Sequence, residues 1–209
     1  MLYSELQCSD AIHKAVERMG FAEMTEIQEK TIPVMLAGHD VIAKAPTGTG
    51  KTCAFGIPVA EHILPENKYP QAVIMAPTRE LAQQIAQELE ELTYFMPEVQ
   101  VACVYGGANM EKQAKRLAEG CQIVVATPGR LMDHYKHHSI DISHVTQIVL
   151  DEADEMLNMG FYKDVRGIID LLKSRESLSM FSATISREVL DIGWLYQHNA
   201  AEVDVQPVQ

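Results

Sequence analysis

Apolar residues along the 209 positions fall into two kinds of run. The first kind is short and continuous, at residues 41–45, 72–76, 99–104, 122–126, 147–150 and 178–182. These six runs do not alternate with polar residues, which is the pattern of parallel strands covered on both faces. The second kind carries a helical period, at residues 51–63, 79–93, 110–119, 130–137, 161–173 and 187–197. Two further helices are expected ahead of the first strand. Ser9 caps one that runs to Met19 and closes at Gly20. Thr25 caps the other, residues 26–36, with Gln28 in the capping-box position and Gly38 as its stop. Pro33 inside that helix should kink it or mark a boundary. Alternating strands and helices predict an α/β fold, a mostly parallel open sheet with helices on both faces.

In such a sheet, ligands sit at the carboxyl ends of the strands, and the polar clusters of this chain fall there. The first strand runs into Ala45-Pro46-Thr47-Gly48-Thr49-Gly50-Lys51-Thr52. A strand, a Gly-rich turn closing on Gly-Lys-Thr and then a helix is the context of a phosphate-binding loop. Glycines let backbone N–H groups curl around phosphate oxygens, and the helix N-terminus adds its dipole. Lys51 would reach the terminal phosphates and Thr52 would offer its hydroxyl to Mg2+. Ala45 stands where the strict pattern has Gly. The loop also fits a plain strand-to-helix turn, although that leaves Lys51-Thr52 unexplained.

Asp151-Glu152-Ala153-Asp154 follows the fifth strand. Asp151 suits Mg2+ held by nucleotide phosphates, and Glu152 suits a base that orients and deprotonates water. Taken alone, these acids equally suit the first turn of a helix. Ser182-Ala183-Thr184 follows the sixth strand, where its hydroxyls could bond Asp154 or simply form a turn. Pro77-Thr78-Arg79 and Thr127-Pro128-Gly129-Arg130 each combine a hydroxyl, a proline and an arginine at a helix start. Either cluster can hold phosphate or merely begin a helix. With Gly106-Gly107 on the same rim, they suit the backbone of a nucleic-acid strand better than a small ligand.

Composition narrows the classes. Hydrophobic residues make up 47% and charged residues 22%, ordinary for a globular protein. No apolar run reaches the roughly 20 residues of a membrane span, and no basic-then-apolar leader opens the chain. Cys8, Cys53, Cys103 and Cys121 are scattered without zinc spacing, so reduced thiols in a cytoplasmic setting are expected. A net charge of −12 predicts that any nucleic acid is gripped through local donors, and weakly by this piece alone.

In their order and number, these motifs resemble those of the DEAD-box RNA helicases of superfamily 2, specifically the amino-terminal RecA-like P-loop NTPase domain. Asp151 to Asp154 spell the family's name, and Ala is usual there at the position of Ala45. Residues 77–82, Gly106-Gly107, residues 127–130 and residues 182–184 resemble the further motifs. Pro46 stands where the family often has Gln. Residues 20–28 are similar to its Q motif, with Met24 and Glu26 in place of frequent prolines. The resemblance implies that Gln28 reads the adenine edge while the ring of Tyr3, in place of a commoner Phe, stacks on its face, with Phe21 also at the nucleotide.

The resemblance also implies ATP or ADP and Mg2+ as ligands, RNA as partner and catalytic roles for Lys51, Asp151, Glu152, Asp154, Ser182 and Thr184. It organises residues 1–209 as one RecA-like domain, with 1–38 as the Q-motif region and 39–209 as the α/β core. No His-Arg-x-Gly-Arg pattern occurs, so a second RecA-like domain, which supplies arginines to the γ-phosphate, is expected elsewhere in a longer chain. An ATP-binding regulatory module and a DNA-directed superfamily 2 helicase remain open alternatives.

Overall fold

The computed structural model describes residues 1–46 and 49–206. Thr47 and Gly48 of the phosphate-loop reading lie outside the described residues, as do positions 207–209. The sheet has seven strands: β1 (Val41–Lys44), β2 (Ala72–Met75), β3 (Val101–Val104), β4 (Ile123–Ala126), β5 (Gln147–Asp151), β6 (Ser177–Ser182) and β7 (Ala201–Asp204). Their order is β3-β4-β2-β5-β6-β1-β7, and all six neighbouring pairs are parallel.

The expected six strands are present, β1 to β4 slightly shorter than expected and β5 and β6 each one residue longer, and β7 is an addition. Residues 201–204 form an edge strand because Glu202-Val203-Asp204-Val205 alternates. Val203 and Val205 are buried while Glu202 and Asp204 face solvent, as a strand covered on one face requires. Its Val41–Ala201 to Lys44–Asp204 register ties it to β1.

Nine α-helices flank the sheet among the described residues. On one face lie α1 (Asp10–Arg18), α2 (Glu26–Leu36), α3 (Lys51–Glu61) and α4 (Arg79–Leu92). Ile12, Ile27, Phe55, Ile85 and Leu89 pack there against Ala72, Ile74 and Phe181. The second core takes the intervening strand residues, Val73, Met75, Ile148 and Met180. These pack on α6 (Pro128–Lys136), α7 (Ala153–Asn158), α8 (Tyr162–Leu171) and α9 (Arg187–Tyr196), with Leu117 of α5 (Met110–Ala118). Neighbouring residues of β2 therefore point into opposite cores, which explains why the buried strands read as continuous apolar runs.

Two helical expectations change. Helix α2 runs through Pro33 as one element from Glu26 to Leu36, and α3 runs likewise through Pro58. Packing of both helices against each other and the sheet outweighs the one backbone bond that each proline removes. Helix α7, which the apolar pattern does not separate from its surroundings, starts directly after β5. Among the described residues, no helix is long and apolar enough to cross a membrane.

Candidate nucleotide and nucleic-acid site

The sheet order brings the ends of β1, β5 and β6 side by side, and three sequence clusters meet there. Lys51 opens α3, and its Nζ lies 3.3 Å from Asp151 Oδ1 and 3.8 Å from Glu152 Oε1. Lys51 and Asp151 are only 7% and 1% exposed. Burial of a charged pair requires a functional or compensating reason. Burial pushes the Asp151 carboxyl up from its usual range, with Lys51 pulling against it. Glu152 is pushed up to about 7, first by burial and then by its contact with Glu155. Its backbone is left-handed, with φ 49° and ψ 51°. That conformation is costly for a side-chain-bearing residue and concentrates at functional sites.

The third carboxylate is held differently. Thr184 Oγ1 donates to Asp154 Oδ2 at 2.7 Å, and the Thr184 amide donates to the same oxygen at 3.1 Å. Ser182 Oγ accepts from the Asp154 amide at 3.0 Å and donates to the Thr184 carbonyl at 2.7 Å. Burial raises Asp154, but hydrogen bonds from Thr184 and Ser182 outweigh it and hold the group below its usual range. The end of β6 is thereby locked to the start of α7 and, through Ala45 N to Ser182 O at 2.9 Å, to the phosphate-loop strand.

Gln28 reaches the same loop from α2. Its Nε2 donates to Gly50 O at 3.1 Å, while its Oε1 accepts from Thr25 N at 3.1 Å and from the Tyr3 hydroxyl. Gly50 has φ 83°, and a Cβ there would lie 2.6 Å from Gln28 Nε2. Conformation requires a glycine at this position, and an added Cβ would also displace the Gln28 amide from it. Thr49 Oγ1 closes the turn onto Pro46 O at 2.8 Å. Ala45 is fully buried and serves the sheet core.

Tyr3 departs from the expectation that its ring could lie on a base. It is 5% exposed, with its hydroxyl on Gln28 and its ring stacked on Phe21 at 6.2 Å. Phe21, 44% exposed, presents the free aromatic face. Tyr3 orients Gln28 because a buried phenol needs a partner for its hydroxyl.

The second rim lies at the ends of β2, β3 and β4. Arg79 is exposed at the start of α4, its guanidinium 4.8 Å from the Tyr105 ring centroid. Thr78 caps that helix through Leu81 N at 3.2 Å. Gly106 and Gly107 are exposed, and the Gly106 amide donates to Thr127 Oγ1 at 3.3 Å. Three expected contact residues are corrected. Pro77 and Pro128 are buried and shape the loops without offering surface. Arg130 is turned inward, its Nη1 donating to Ala108 O at 2.9 Å and Gln113 Oε1 at 3.0 Å. With both of its Nη1 bonds made to protein acceptors, Arg130 supports the loop beside it.

Sequence reasoning missed Glu88, Tyr105, Gln113 and His134. Glu88 lies close to Thr52 and Asp151, and burial raises its carboxyl above the ordinary range. Gln113 sits four residues before buried Leu117 on α5, and a polar residue on a buried stripe was the available signal. His134 is fully buried, with its Nε2 3.0 Å from Gln113 Oε1. Burial first, then Arg130, lowers its pKa from 6.5. The unfolded chain therefore binds a proton that the folded chain resists. Stability is expected to fall as pH drops below about 6.5 and to level off below the folded value. Thermal unfolding across that range should show the slope in the native protein and a smaller one in His134→Leu.

Among the described residues, no group of three or more His, Cys, Asp or Glu could hold a metal ion. A cation at this site would need phosphate oxygens to complete its shell, and a buried carboxylate beside a hydroxyl-bearing helix start fits Mg2+ on those terms.

A strand, a Gly-Lys-Thr loop and carboxylates at neighbouring strand ends make this an α/β P-loop nucleotide-binding domain of RecA type. The DEAD/DEAH box helicase family model matches residues 25–192, so the chain belongs to that family. It corresponds to the family's first RecA-like domain. The chain is 47% identical over 206 residues to an ATP-dependent RNA helicase CshA of Limosilactobacillus reuteri, covering 99% of this chain and 41% of that protein. Against the CshA of Bacillus subtilis it is 42% identical over 204 residues, covering 98% and 41%. A crystal structure of a DEAD box protein from Methanococcus jannaschii superposes with TM-score 0.92 and 39% identity, covering 99% of this chain and 56% of that one. The chain spans about two fifths of the length of the curated relatives it matches.

Proposed function

We propose that this chain is the ATP-binding and RNA-binding half of an ATP-dependent RNA helicase that remodels RNA duplexes. The observation that carries the reading is the convergence of Lys51, Asp151 and Glu152 at one sheet edge, with Asp154 tied to Thr184 beside them. The relatives bear the name of ATP-dependent RNA helicase, in agreement with it.

In this reading Gln28 recognises the adenine edge and Phe21 stacks on the base. The loop from Ala45 to Gly50 surrounds the phosphates with N–H groups, and Lys51 moves from Asp151 to the terminal phosphates. Thr52 and Asp151 would hold Mg2+, which would neutralise charge on the phosphate oxygens. Glu152 orients and deprotonates the attacking water. Ser182 and Thr184 link Asp154 to the neighbouring strand, so a change at the nucleotide is felt there. Thr78, Arg79, Gly106, Gly107, Thr127 and Gly129 grip a sugar-phosphate backbone through hydroxyl, guanidinium and amide donors.

Lys51→Ala tests the nucleotide half. The variant should keep its circular dichroism spectrum and lose measurable ADP binding in calorimetry. Unchanged ADP affinity would refute the assignment of the loop.

A further inference from the structure

The Gly106–Gly107 turn has little of its own to hold it. Neither glycine has any atom within 4 Å of an added Cβ, and Gly107 has φ 83°. Such a turn would sample many conformations unless its backbone were tied from outside. The ties converge on one buried amide. Gln113 Nε2 donates to Tyr105 O at 3.0 Å, immediately before the turn. Its Oε1 accepts from Arg130 Nη1 and from His134 Nε2, each at 3.0 Å. Arg130 Nη1 also donates to Ala108 O at 2.9 Å, immediately after the turn. Gln113 thus holds one end of the turn directly and the other through Arg130.

The chemistry selects glutamine. The site needs one donor toward a carbonyl and one oxygen accepting twice, and a primary amide supplies both on one planar group. Glutamate would keep the acceptor and lose the donor. Methionine would keep the volume and lose both. The arrangement also has built-in vulnerability: Arg130 Nε and His134 Nδ1 are buried without hydrogen-bond partners. Asp133 Oδ2, 3.7 Å from Arg130 Nε, is the carboxylate nearest to that edge of the network. A partly satisfied network depends heavily on its remaining bonds.

We propose that Gln113 is a positioning residue for nucleic-acid binding, holding the Gly106–Gly107 turn in register with Thr127 so that its exposed backbone faces a phosphate strand. The proposal rests on the RNA-binding reading above. It assigns to α5 and α6 a task that no surface contact reveals. A turn ordered in advance does not lose its conformational freedom on binding, so the gain appears as affinity for RNA and not for nucleotide. Tyr105 extends the effect. Its carbonyl is held by Gln113, its hydroxyl accepts from Gln83 Nε2 at 3.1 Å, and its ring lies under Arg79. Displacing the turn therefore also displaces Arg79.

The test uses the full-length gene product and a fluorescent oligouridine, with a non-hydrolysable ATP analogue present. Gln113→Met should weaken oligouridine binding about ten-fold and leave ADP affinity unchanged. In RNA-stimulated hydrolysis, KM for RNA should rise while kcat at saturating RNA is kept. Arg130→Met should behave alike, and the double variant should be no weaker than either alone, because both break one network. Gln113→Glu, retaining the acceptor, should fall between Gln113→Met and the native protein, and it carries the test if Gln113→Met does not fold. Native oligouridine affinity in a folded Gln113 variant would overturn the proposal. So would parallel losses of RNA and ADP affinity, which would make Gln113 a general structural residue. Absence of oligouridine binding by the native protein would instead overturn the RNA-binding reading itself.

Discussion

Glu152→Gln in the full-length protein is expected to slow ATP hydrolysis by roughly two to four orders of magnitude, the range of a lost general base. Nucleotide affinity should survive, since the substitution keeps the side-chain volume and leaves the Lys51–Asp151 pair in place. Both the position and the protonation of Glu152 suit this role. The left-handed backbone at Glu152 lifts its carboxylate off the end of β5 beside Lys51 Nζ, where a terminal phosphate would lie. Its pKa of about 7 in the free protein is suited to taking a proton from water near neutrality. A base works only when deprotonated, so kcat/KM for ATP should fall as pH drops through about 7. Glu152→Gln should remove that limb of the profile along with the rate. Native turnover with an unchanged pH profile would exclude Glu152 as the base.

The nucleotide end was legible because its chemistry is contiguous in sequence. Residues 45–52 are one contiguous stretch after β1, residues 151–154 one stretch at the end of β5, and short apolar runs located both strands. Parallel pairing then required those ends to lie on one edge. What stayed hidden depended on contacts between distant elements. Tyr3 reads as an exposed aromatic until η1 (Tyr3–Glu5) places its hydroxyl on Gln28 and its ring beneath Phe21. Arg130 reads as a phosphate ligand at a helix start. Its direction is set by Gln113, 17 residues away on another helix. Strand β7 was obscured for a different reason: an edge strand buries one face only, and four residues of alternation resemble a polar tail. Glu88 is hidden by its setting, one more acid on an acidic helix until Thr52 and Asp151 are brought near it.

The same geometry sets the second large expectation. The 209 residues by themselves should bind ADP and ATP, yet hydrolyse ATP about three to five orders of magnitude more slowly than the full-length protein with RNA. That is the range for loss of an arginine finger in related NTPases. Lys51 is held by Asp151 and Glu152 in the free protein, and on binding nucleotide it is the cation this edge commits to the phosphates. The charge that develops on the γ-phosphoryl oxygens needs further donors on the side facing away from the sheet. The curated relatives extend well beyond the matched stretch, and this chain covers 41% of the length of each. We propose that the remainder supplies those arginines and the other wall of the RNA channel. Closure would then couple the two ligands, since the rim at Arg79, Gly106 and Thr127 and the edge at Lys51 and Glu152 would meet the same second body. Single-turnover assays on both chains, with and without RNA, measure the difference. RNA-stimulated turnover by the 209 residues at the full-length rate would show that this edge is a complete active site.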